Sequence, residues 1–181
     1  MVQPWLSNME KQTEPLKTVK LHLKASFICN DLPHNVKLAL EHPEIFTITL
    51  NGVTLDTACN DDDYWVDLCC RTISIPDSAF VTGNNILELT CSYHKKLSGL
   101  EAFFLLGCFA VKNDCICKME SDLKYGSIVS QGFPYYAGNI TYCYDLPQLP
   151  AGKKYHFCTQ DWQGVSLAVR VDGGKWIPMP C

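Results

Sequence analysis

What this chain lacks bounds it first. None of its 181 residues belongs to an apolar run near the roughly 20 residues of a membrane-spanning helix. Residues 1–20 have neither the basic start nor the apolar segment of a secretory leader. A cytoplasmic location and no membrane partner are the expectation. Surplus basic charge is also missing: 15 Lys and Arg stand against 19 Asp and Glu, a net charge of −4. No cationic surface is left to displace counterions from a phosphate backbone, which argues against a nucleic-acid partner. No segment sustains an apolar period of 3.6, so helix content should be low. A G-x-S-x-G elbow, a Walker loop and an H-E-x-x-H pair are absent, and the five histidines (His22, His34, His42, His94, His156) are scattered singly.

Cysteine, by contrast, is plentiful, with 11 in the chain. Cys91, Cys108 and Cys158 sit in apolar strand-like phrases, where a reduced thiol packs as a small hydrophobe. The tight pairs Cys69-Cys70 and Cys115-x-Cys117 belong to no matched C-x-x-C array of the kind tetrahedral zinc needs. No metal and no cofactor are therefore expected. Cys29 or Cys59 with a distant histidine stays open as a thiol dyad, because sequence carries no proximity. With 47% hydrophobic and 19% charged residues, the chain can build one good core or two small ones without a disulfide framework.

Strand patterns dominate after a polar lead-in over residues 1–16. Residues 19–28 (VKLHLKASFI) alternate, 36–40 form a short strand, and 45–50 alternate up to Asn51-Gly52, a strong hairpin signal because both residues tolerate positive φ. Residues 57–63 (TACNDDD) read as a polar loop, followed by strands at 64–66, 73–75 and 86–93. The apolar run 100–111 reads as one buried strand. Further strands are expected at 139–146, 154–159 and 165–171, with a return at 175–177. Residues 38–56 and 155–177 repeat one pattern: short strand, polar connector, alternating strand, Gly-containing turn, return strand. The second turn is Asp172-Gly173. Such a repeat predicts two related β-sandwich units.

The phrases LALEHPEIFTITLNG, GNNILELTCSY, GLEAFFLLGCFAV, SQGFPYYAGNITY and DWQGVSLAVRVDGGKW, taken in order, resemble the galactose-binding-like β-sandwich regions of large bacterial glycoside hydrolases of β-galactosidase and α-L-rhamnosidase type. The resemblance runs from about residue 17 to the end. It implies an all-β chain: a jelly-roll-like β-sandwich at 17–113 and a partial second one at 114–181. It also implies a non-catalytic accessory role, carbohydrate-binding or structural, beside the catalytic domain of a parent enzyme. Two departures stand out. Cys108 follows LLG where such sequences often carry an acidic residue, and the last strands of the second module are missing, which suggests a fragment. The alternatives are a piece of an active glycoside hydrolase whose catalytic domain lies outside this chain, and a standalone interaction module.

Hydrolysis of a glycoside needs two carboxyl groups roughly 5–10 Å apart. Asp61, Asp62, Asp63 and Asp67, or Glu101 with Asp145, are the available sets. The Asp run reads as a solvated loop and secondarily as a calcium site. No catalytic residue is assigned. Sugar binding calls instead for aromatic faces beside amides, since pyranose C–H faces stack on Trp and Tyr. Phe133, Tyr135, Tyr136, Asn139, Trp162 and Gln163 form the densest such set, the last five being the expected ligand residues, with core packing as the competing role, and Tyr64 with Trp65 a second patch. The expected partners are a carbohydrate and the parent's catalytic domain, with a homodimer as a further assembly.

Overall fold

The computed structural model describes residues 15–60, 62–97, 100–159 and 162–179. In chain order its strands are β1 (Thr18–Cys29), β2 (Lys37–Glu41), β3 (Thr47–Leu50), β4 (Val53–Thr54), β5 (Tyr64–Trp65), β6 (Asp67–Ser74), β7 (Gly83–His94), β8 (Phe104–Leu106), β9 (Ala110–Lys112), β10 (Cys115–Cys117), β11 (Ala168–Val169) and β12 (Ile177–Pro178). Three 3₁₀ turns are the only helical elements among the described residues. The all-β expectation is met. The chain divides into two compact units, Met1–Ile140 and Thr141–Cys181.

In the first unit a six-stranded sheet has the order β4-β3-β7-β1-β10-β9 and a four-stranded sheet the order β5-β6-β2-β8. Its longest ladder is the antiparallel β1–β7 pair, in register from Thr18 opposite His94 to Cys29 opposite Gly83. β10 adds to β1 in parallel. Period-two alternation sends one face of each strand inward. Leu38, Leu40 and Ile73 from the four-stranded sheet join Ile48, Leu50, Leu87, Leu89, Cys29 and Ile116 from the six-stranded sheet in one buried cluster. Each such Leu or Ile contributes roughly 1.5–3 kcal/mol on burial.

Asn51 and Gly52 both take positive φ, 50° and 83°, and turn β3 into β4 as their sequence demands. Asn51 has a second task. Its Nδ2 donates to Ala79 O (2.9 Å) and Asn85 Oδ1 (2.8 Å), and its Oδ1 accepts from Ile86 N (2.9 Å). Asn85 is fully buried and exchanges hydrogen bonds with the backbone of Val81 and Gly83. Two asparagines thus satisfy backbone groups that the core would otherwise strand without water.

The expected single strand over residues 100–111 is not formed. β8 ends at Leu106 and pairs with β2, whereas β9 begins at Ala110 and pairs with β10 in the other sheet. Gly107 permits the crossing: an added Cβ there would stand 3.2 Å from the Phe109 ring and 3.3 Å from Val36 Cγ2. An apolar run that serves two sheets has the same composition as one buried strand, and periodicity cannot separate them. Strand β6 is longer than the expected 73–75, and Val66, expected in a strand, instead turns at φ 64°.

In the second unit β11 pairs with β12, Ala168 opposite Pro178 and Val169 opposite Ile177. The intervening turn uses Asp172 and Gly173 at φ 47° and 71°, and the Arg170 guanidinium lies 4.7 Å from the Trp176 ring centroid. The expected strands at 139–146 and 154–159 are not formed. Those residues run without a ladder, and a strand exists only where another chain segment takes its backbone hydrogen bonds.

Candidate functional site

The aromatic segment of the first unit is tied down before its exposed tyrosines begin. Val111 N donates to Gly132 O at 2.7 Å, and Phe133 N to Ile128 O at 3.1 Å. Gly132 sits at φ 100°, and a Cβ there would meet Ala110 Cβ at 2.9 Å, so only glycine lets the segment lie this close to β9. Gln131 bridges the preceding loop by accepting from Lys124 N and donating to Lys124 O and Ser127 O. Tyr136 then packs edge-on against Phe133, with ring centroids 6.4 Å apart, and its hydroxyl donates to Asn139 O at 3.0 Å. The same ring passes so near Gly138 that a Cβ there would touch Oη at 2.8 Å. Phe133 to Asn139 is therefore a closed loop with one fixed tyrosine, half exposed, and a neighbour, Tyr135, that is 79% exposed.

Three of the five expected ligand residues, Tyr135, Tyr136 and Asn139, share this loop. Asn139 fixes Tyr136 through its backbone carbonyl, a role its side-chain chemistry did not announce. Trp162 and Gln163 belong to the second unit. Trp162 is half-buried with its indole beside Gly164, and Gln163 is exposed.

The second aromatic patch is rearranged relative to expectation. Tyr64 and Trp65 are consecutive in β5 and so project to opposite faces. Trp65 instead meets Phe104, with ring centroids 4.9 Å apart and planes inclined by 54°. Phe104 stands opposite Ala39, and Ala39 opposite Thr72, on the side of the sheet away from Leu38 and Ile73. Sequence reading missed Phe104 because it lay in a run taken for buried strand; a break at Gly107 was the available signal. Beside this pair Asp63 accepts from Asn60 N (3.2 Å) and Asn60 Nδ2 (3.1 Å) and lies 3.6 Å from Lys37 Nζ. The Asn60 backbone bond, followed by the Asn60 side chain, holds the Asp63 carboxyl below its ordinary pKa.

Glu101 lines a cleft with Glu41, Leu23, Leu40, Phe46 and Phe103, but its volume of about 20 Å³ holds one water and no sugar ring. Asp145 lies in the second unit, and Asp61 lies outside the described residues. No group of three or more His, Cys, Asp or Glu side chains is gathered for a metal among the described residues. Burial, with smaller contributions from Cys115 and Cys117, pushes the Cys29 thiol up to about 11. Burial, and then the Asp63 charge, raises Cys59 as well. Both are thereby kept protonated, the reverse of what a nucleophilic thiolate needs. Compared with protein-family models, with curated proteins and with solved structures, the chain matches none.

Proposed function

We propose that this chain is a non-catalytic, carbohydrate-binding β-sandwich region of the galactose-binding-like, jelly-roll type, acting as an accessory to a bacterial glycoside hydrolase whose catalytic domain is a separate part of the enzyme. The observation that carries the reading is the tyrosine loop. Tyr136 is fixed by Phe133 and by the Asn139 carbonyl, and Tyr135 beside it is 79% exposed. An aromatic face already held in place loses little entropy when a sugar stacks on it. Two sheets sharing one core support the sandwich architecture, and the sequence phrases supply the link to glycoside hydrolases.

The test is glycan-array binding by the purified chain, followed by Tyr135→Ala. Retained melting temperature with roughly tenfold weaker glycan binding is the expected result, an effect of the size one aromatic contact supplies. Unchanged binding in the variant, or silence of the wild type on every glycan, overturns the tyrosine-loop assignment. The chain alone should turn over no aryl galactoside or rhamnoside. Turnover abolished by substituting one of its own Asp or Glu residues would refute the non-catalytic reading.

A further inference from the structure

We propose a second carbohydrate subsite on the outward face of the four-stranded sheet, built on Trp65 and Phe104 and taking a single neutral pyranose. The proposal rests on the carbohydrate reading above and adds a site separate from the tyrosine loop. Strand order places β6 and β2 between β5 and β8, so the backbones carrying the two rings are about 14 Å apart at ordinary strand spacing. Rings whose centroids are nevertheless 4.9 Å apart must lean toward each other across β6 and β2. The residues beneath are small enough for this: Ala39 and Thr72, adjacent in the same cross-strand row, are 0% and 5% exposed although they face away from the core. Phe104 remains 43% exposed. The two rings, inclined by 54° to each other, form an aromatic corner over this floor of small side chains, and Phe104 supplies the exposed apolar surface on which the C–H face of a sugar can rest.

The polar rim selects the occupant. Lys37, Ala39 and Glu41 alternate onto the same face of β2, and Lys37 is offset by Asp63. The Asp63 carboxylate is itself held by Asn60. One ammonium, the Asp63 and Glu41 carboxylates and the Asn60 amide offer donors and acceptors with a slight negative excess, which suits sugar hydroxyl groups and disfavours a phosphate or an anionic sugar. The rings are too close together to span a row of sugars, so a terminal or single residue is the ligand class.

Titration calorimetry of the full chain with methyl β-D-galactopyranoside, methyl β-D-glucopyranoside and methyl α-L-rhamnopyranoside tests this. Trp65→Phe should keep binding, whereas Trp65→Leu, which preserves the apolar cover over Ala39, should weaken it about tenfold at unchanged melting temperature. Phe104→Leu should weaken it in the same sense and gives a second readout if the Trp65 variants fail to fold. Binding that Tyr135→Ala removes and Trp65→Leu and Phe104→Leu leave intact overturns this subsite and keeps the tyrosine loop. Silence toward all three pyranosides also overturns it, leaving the two rings as a cover for Ala39 and Thr72.

Discussion

Two hairpins in this chain obey the same local rule and come to different ends. Asn51-Gly52 and Asp172-Gly173 both turn through paired positive φ, 50° and 83° in one and 47° and 71° in the other. Behind the first turn, β3 is zipped along β7 from Thr47 opposite Thr90 to Leu50 opposite Leu87, and Ile48 and Leu50 are fully buried. Behind the second, β11 and β12 share two residue pairs, while Val171, Trp176 and Ile177 are 60%, 51% and 60% exposed. Turn chemistry decides where a chain reverses. A third strand and a buried face decide whether the reversal is worth keeping, since a lone two-stranded ribbon is marginal in water.

The largest test of that contrast is Leu89→Ala. Leu89 is 1% exposed beside Ile48, and its truncation should cost the first unit about 3 kcal/mol in a denaturant titration, with β11–β12 amide exchange unchanged. Exchange of β11 and β12 accelerating in step would show that the two units unfold together and would erase the distinction.

A smaller effect separates the turns themselves. A Cβ at Gly52 or Gly173 meets nothing within 4 Å, so Gly→Ala carries only the penalty for positive φ, about 1–2 kcal/mol. In Gly52→Ala that loss should lower the melting temperature of the first unit. In Gly173→Ala it should raise hydrogen exchange only around residues 167–179. An equal fall in melting temperature for both variants would mean that β11–β12 is as strongly coupled to its surroundings as β3–β4.

The smallest effect is set by pH. Asp77 accepts from Asn35 N at 3.1 Å and pairs with His34 Nδ1 at 2.8 Å, and these bonds, His34 first, hold its carboxyl below the ordinary value. The unfolded chain then binds the proton more readily. This contribution is present above the ordinary carboxylate pKa and is lost as pH falls through the lowered one. Asp77→Asn should flatten that part of the acid limb of stability for the first unit. The β11–β12 exchange pattern should not respond. An acid limb identical to wild type would assign the pH dependence to other carboxylates.

Much of the first unit was legible because its signals are local and redundant. Residues 19–28 alternate and become β1, 36–40 become β2, and 86–93 become the middle of β7. The apolar run at 100–111 was not legible, because Leu105 and Ala110 are both apolar yet serve different sheets, and nothing in their spacing names the sheet. The candidate sites divide the same way. Aromatic density pointed to Tyr135 and Tyr136, while the Asn139 carbonyl that holds Tyr136 carries no residue-type signature. The pairing of Trp65 with Phe104 joins positions 39 residues apart, and the break at Gly107, the one signal for Phe104, does not name its partner.

By itself the sequence determined the all-β character and the two reversal points, since each follows from residue type and period two. Only the tertiary structure decided that the run after Gly99 splits between two sheets, that Asn51 and Asn85 share one hydrogen-bond network, and that Trp65 lies against Phe104 and not beside Tyr64. Those outcomes depend on which strands become neighbours. Neighbour choice is settled by the burial of whole faces, a property of the assembled sheets that no short stretch of chain contains.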